Sequence, residues 1–124
     1  MNGDFDGSRL RLLRKAMGLD SAWVAARFAV NERTVRRWQA GTNPIPPDVV
    51  TGFQQLVEKY SELIESMIDG VEKDGVLLVF SGLEASQLDG DAIPLSMFNR
   101  AAQQAAIYCE ENKIPYVIKV RTLS

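Results

Sequence analysis

A chain of 124 residues, 46% apolar and 24% charged, has the composition of a soluble globular protein, with room for one ordinary domain or a small domain plus a dimerisation unit. A single cysteine, Cys109, and no histidine exclude an internal disulfide, a His/Cys zinc site and Ser-His or Cys-His catalysis. The net charge of −2 divides unevenly, with eight bases against four acids (+4) in residues 1–43 and six against twelve (−6) in residues 44–124, so that a basic head whose local field can steer it to nucleic acid sits on an acidic body.

Met1 to Gly7 reads as a polar, mobile tail, and Met1 to Ser8 lacks the apolar core of a signal peptide. No run approaches 18 apolar residues, so a cytoplasmic protein with no membrane span is expected. Ser8 is placed to cap a helix from Arg9 to Met17. Its apolar stripe is Leu10, Leu13 and Met17, its Arg9, Arg11, Arg14 and Lys15 face water or phosphate, and Gly18 ends it.

Two short helical patterns follow. Ser21 to Phe28 starts at the N-cap Asp20; Glu32 to Ala40 starts at Asn31 and stops at Gly41, with only Ala29 and Val30 between them. Val24, Ala25, Phe28, Val30, Val35 and Trp38 fall on the inward faces, while Glu32, Arg33, Arg36 and Arg37 fall on the outer face of the second helix. Isolated helices shorter than about 12 residues are marginal in water, so packing must fix both.

Thr42 to Pro47, TNPIPP, makes a rigid corner. A long helix is then expected over Asp48 to Asp69. Phe53, Val57, Tyr60, Ile64, Met67 and Val71 recur at helical spacing, and Val49, Val50, Leu56, Leu63 and Ile68 widen the stripe enough to serve two contacts, one toward each end of the chain. Asp69-Gly70 and Asp74-Gly75 read as turns, Val76 to Phe80 as a strand and Ser81 to Asp91 as a loop. Ser96 is placed to cap a helix from Met97 to Asn112 with Phe98, Ala101, Ala102, Ala105 and Cys109 on one face. Tyr116 to Arg121 alternates as a half-buried strand does, with Pro115 at its entrance.

A strand, a helix and a strand make a β-α-β unit with parallel strands when the strands are neighbours. Two strands leave edges and an apolar face open, which points to a homodimer through the C-terminal region; the alternative is that the strands cap the long helix within one monomer. The predicted class is α+β: a four-to-five-helix N-terminal helix-turn-helix domain (1–47), a long connecting helix (48–70) and a small C-terminal β-α-β dimerisation domain (71–124).

Residues 19–41, with Ala25, Val35 and Trp38 at the small, β-branched and large apolar positions, resemble the Xre/Cro-like helix-turn-helix of phage repressors. Ala29 stands where that family prefers glycine. The resemblance implies base contacts from Glu32, Arg33 and Arg37 in the major groove, a backbone-reaching role for Arg14, and a loop at Thr42 and Asn43 lying along phosphate. The chemistry suits a G·C-containing half-site: arginine pairs with guanine O6 and N7, and glutamate accepts from cytosine N4. Glu32 can equally act as a first-turn acid on the helix dipole. Arg36 points between the base-facing and backbone-facing sides and is assigned to phosphate, with Ser21, Asn31 and Thr34. Trp23, usually polar in that family, is left to pack on the long helix or on a partner.

Over most of the chain, LRKAMGLD, RRWQAG, PIPPDVV and PLSMFNRAAQQAAIYCEEN come in an order that resembles the small anti-CRISPR-associated autorepressors and their uncharacterised bacterial relatives. That resemblance implies a homodimeric repressor on an inverted-repeat operator near its own promoter, with double-stranded DNA as partner; from the residue types and their spacing, neither cofactor nor metal is expected. Two other readings are an antitoxin-like adaptor that binds a protein through the acidic half, and a phage architectural or recombination factor. Nothing in the pattern marks an enzyme or a small-molecule pocket.

Overall fold

The computed structural model describes residues 5–82 and 93–123. In chain order come α1 (Gly7–Ala16), α2 (Ser21–Arg27), α3 (Glu32–Ala40), α4 (Pro47–Asp74), β1 (Val76–Gly82), α5 (Leu95–Glu111) and β2 (Val117–Leu123). The class is α+β, with a two-stranded parallel sheet. No helix among the described residues is long and apolar enough to cross a membrane. The chain divides into two compact units, Met1–Val57 and Glu58–Ser124, and the division falls inside α4.

The first unit holds three short helices and the opening turns of α4. Leu10, Met17, Leu19, Val24, Val35, Trp38, Val49 and Phe53 are buried there, and the Phe53 ring meets Phe28 and Phe5 at centroid distances of 6.5 and 5.6 Å. Asp6, not Ser8, caps α1: its carboxylate accepts from the Arg9 N–H at 2.9 Å, so the helix begins two residues earlier than the Ser8 reading places it. Gly7, the first residue of α1, is buried against the end of α3, where a Cβ would overlap the Trp38 carbonyl oxygen.

The second unit is built on the remainder of α4. This helix runs through Gly70 to Asp74, so Asp69-Gly70 is not a turn. Val71 continues the apolar stripe and is buried with Leu77, Ala102, Ala105 and Cys109, and that burial outweighs the weak helix propensity of one glycine. Asp74-Gly75 is the true stop, with Gly75 in the left-handed region at φ +70°. α5 begins at Leu95 behind Pro94, which makes no side-chain cap, and Ser96 lies within its first turn.

The strands pair in parallel, Val76 with Val117 through Gly82 with Leu123. β1 extends past Phe80 to Gly82, which shortens the expected loop; residues 83–91 of that reading lie outside the described residues. β2 is not half-buried as its alternation suggests. Val117, Ile118 and Val120 are 63, 60 and 61% exposed, because α5 covers β1 and leaves both faces of β2 open.

Candidate nucleic-acid interface

The α2–α3 pair is assembled from local signals. The Asp20 carboxylate accepts from the Trp23 N–H at 2.7 Å and opens α2. The chain then turns through Ala29, whose φ of +58° lies in the left-handed region, and the Val30 N–H closes on the Ala25 carbonyl at 2.9 Å. A non-glycine residue there costs about 1–2 kcal/mol, and packing of the flanking helices must offset it. The left-handed turn explains why glycine is preferred at this position in similar motifs.

Asn31 caps α3 by accepting from both the Thr34 N–H (2.9 Å) and the Thr34 hydroxyl (3.0 Å). Gly41 closes the helix at φ +79°. The Thr42 and Asn43 N–H groups turn back onto the Arg37 carbonyl at 2.9 and 3.3 Å. Asn31, Thr34, Thr42 and Asn43 thus shape the two ends of α3. Only their remaining side-chain atoms are available to a phosphate.

Between those ends, Val35 and Trp38 are buried together with Val24 and Ala25, which turns the opposite face of α3 outward. Glu32, Arg33, Arg36 and Arg37 are all exposed on it. Arg36 meets Glu32 at 3.5 Å, with side chains 63 and 50% exposed. An exposed i, i+4 pair of this kind contributes about 0–1 kcal/mol, so parting from Glu32 costs Arg36 little.

Beside this face, Arg11, Arg14, Ser21, Arg36 and Gln39 line a shallow groove of about 480 Å3. Arg14, the residue expected to reach the DNA backbone, also makes bonds within the unit. Its Nε donates to Gln39 Oε1 at 3.0 Å and an NH group to the Leu19 carbonyl at 2.9 Å, so it ties α1, the α1–α2 turn and α3 together. Burial first, then the nearby Arg11 charge, pull the Arg14 guanidinium below its ordinary range; it remains cationic at neutral pH. Arg11, absent from the sequence-derived site, lines the same groove. Its place three residues before Arg14, one helical turn away, is the signal that marks it.

Trp23 is half-buried on α2, outside the Val24–Ala25 core face. The described residues contain no group of three His, Cys, Asp or Glu side chains able to hold a metal ion.

Residues 5–114 match the family model described as Aca2/YdiL-like. No curated protein matches the chain.

Proposed function

The chain belongs to the Aca2/YdiL-like family, a family of anti-CRISPR-associated regulators that contain a helix-turn-helix, and from that premise we propose that it is a sequence-specific repressor that acts as a homodimer on an inverted repeat in double-stranded DNA. One observation carries this reading: α3 buries Val35 and Trp38 and presents Arg33 and Arg37 outward. Neither arginine is held in an ion pair among the described residues. Arginines on the exposed face of a second motif helix are suited to bidentate pairing with guanine in the major groove. Arg36 and Arg11 are the phosphate contacts that set the register, with Ser21 at the start of α2.

The homodimer is supported by the unequal edges of the sheet. On the outer side of β1, Asn99 imitates a strand: its amide donates to the Phe80 carbonyl at 2.9 Å and accepts from the Phe80 N–H at 3.3 Å. Among the described residues β2 has no such cover, and it carries Val117, Ile118 and Val120 exposed. A two-stranded sheet is too small to be stable in isolation, and an open apolar edge is a template for a second copy. A two-fold dimer places its reading helices about 34–36 Å apart, or a multiple of that.

Footprinting across the DNA upstream of the chain's own gene tests the proposal. The expected result is a protected inverted repeat, with an affinity whose logarithm falls against log salt by about 0.9 for each phosphate contacted. Uniform protection without a repeat, or no salt dependence, would overturn it.

A further inference from the structure

The groove between α1, α2 and α3 holds one polar side chain to which the DNA reading gives no contact, Gln39, and we infer that its amide NH2 group donates to a phosphate oxygen of the bound DNA. The inference rests on the DNA-binding reading and adds a contact residue to it. A guanidinium has five N–H donors and no acceptor. Arg14, whose Nε lies 3.0 Å from the Gln39 side chain, can therefore meet only the amide oxygen, Oε1, and this settles which way the amide is turned: its NH2 group is directed away from Arg14. That nitrogen has no partner among the described residues, and no buried side-chain nitrogen or oxygen there is left unbonded, so the NH2 group meets water. Gln39 is half-buried and held by Arg14. A donor already fixed in this way loses little freedom when it binds.

The surroundings suit an oxyanion. Arg11, Arg14, Ser21, Arg36, Gln39 and Ala40 line the groove, which brings three cations, a hydroxyl and an amide together with no acid among the described residues of the lining. Two acids close by in the chain are engaged: Asp20 accepts from the Trp23 N–H at 2.7 Å, and Glu32 meets Arg36 at 3.5 Å. Residue 39 itself supplies a separate argument. Bracing Arg14 alone is served better by a carboxylate, because hydrogen bonds between ionised partners are shorter and stronger. A glutamate would, however, set a negative charge in the groove. The neutral amide is the side chain that braces Arg14 with one end and offers a donor to an anion with the other.

Gln39→Glu separates the two roles, since it keeps an acceptor for Arg14 and replaces the NH2 donor by a carboxylate oxygen. In the full chain its urea midpoint is expected to hold or rise, while affinity for the operator and for a random duplex falls alike, by about tenfold. Gln39→Met adds no charge and removes both groups; its midpoint is expected to fall, and its duplex affinity to fall with an unchanged salt slope, because a neutral donor releases no counterion. In the native chain labelled with 15N, the side-chain NH2 signals of Gln39 are expected to shift on addition of a random duplex and on addition of inorganic phosphate. Undiminished duplex affinity in Gln39→Glu, a loss confined to the operator, which marks a base contact, or NH2 signals that stay in place with duplex would each overturn the assignment and leave the DNA-binding reading standing. A native chain that binds no duplex would sink that reading, and this inference with it.

Discussion

Arg14 and Gln39 lie 25 residues apart in the chain and meet at 3.0 Å, Nε to Oε1, which makes the first helix a strut for α3. The same guanidinium donates to the Leu19 carbonyl. Hydrogen bonds from charged donors contribute about 1.5–3 kcal/mol each, so Arg14→Ala is expected to lower the unfolding free energy by about 1–3 kcal/mol. Arg14→Lys should recover little of it, because an ammonium cannot reproduce the planar fork that serves both acceptors. Urea midpoints measure this. An unchanged midpoint in Arg14→Ala, accompanied by weaker DNA binding, would return Arg14 to the role of a plain phosphate contact.

Two glycines should respond to alanine with opposite signs. At Gly7 the added Cβ overlaps backbone oxygen of Trp38, which cannot move aside as a flexible side chain would. Overpacking of this kind costs about 1–3 kcal/mol, and the Gly7→Ala midpoint should fall accordingly. At Gly70 the Cβ meets open space within a helix, and Gly70→Ala should gain up to about 1 kcal/mol. Thermal melts of the two variants side by side settle the signs.

The parts of this molecule that depend on neighbours in sequence are legible without a structure. Asp20, Asn31 and Gly41 do at the helix ends what their side chains or lack of one dictate, and the Val35–Trp38 spacing sets which face of α3 is turned out. What depends on distant partners is not legible. Asp69-Gly70 has the composition of a turn, and only the burial of Val71 against α5 and β1 shows why the helix continues. Nothing local tells Arg14 apart from Arg11, because Gln39 arrives from another helix. The cover that Asn99 gives β1 is hidden for the same reason: its partner is 19 residues away.

On the exposed face of α3, the arginines should separate by function. Arg33→Ala or Arg37→Ala is expected to weaken binding to the operator by about 1–3 kcal/mol while leaving affinity for random DNA nearly unchanged. Arg36→Ala and Arg11→Ala should weaken both equally, each reducing the salt slope by about one contact. Glu32→Gln discriminates its two possible roles. Loss of preference at one C·G pair marks a base contact, whereas a small stability loss with intact preference marks a helix-dipole acid. Binding isotherms on operator and scrambled duplexes at several salt concentrations provide the comparison.

Cys109 is fully buried among Val71, Leu77, Ala102 and Ala105, and burial first, then the charges of Glu72 and Glu110, push its thiol above the ordinary value of 9.0. The unfolded chain therefore releases this proton at lower pH than the folded one. The thiol's contribution to stability is complete below its ordinary range and is lost as pH rises through that range toward the folded value. Tyr60, raised chiefly by burial, acts in the same direction from about its ordinary value of 10.0 upward. The urea midpoint should stay level up to about pH 8 and fall above it, with a shallower fall in Cys109→Ala. In the native protein a thiol reagent at pH 8 should react only at the rate of unfolding, since the reactive thiolate is suppressed and enclosed.

The open edge of β2 provides the test of assembly. Val117, Ile118 and Val120 are all about 60% exposed, whereas on β1 Asn99 occupies the outer hydrogen-bonding groups of Phe80. Lysine on an edge strand blocks pairing between copies, because its charge loses water on association. Val120→Lys removes the apolar burial of one valine from each copy, about 1.5–3 kcal/mol apiece, and a two-fold interface counts it twice, which raises the dimer dissociation constant on the order of a hundredfold or more. Because Val120 is already in contact with water in one chain, the melting of the single chain should hardly change. Sedimentation equilibrium should show a monomer where the unaltered protein is a dimer, and binding to an inverted repeat should lose its dependence on the second half-site. A dimer that persists in Val120→Lys would place the interface on another surface.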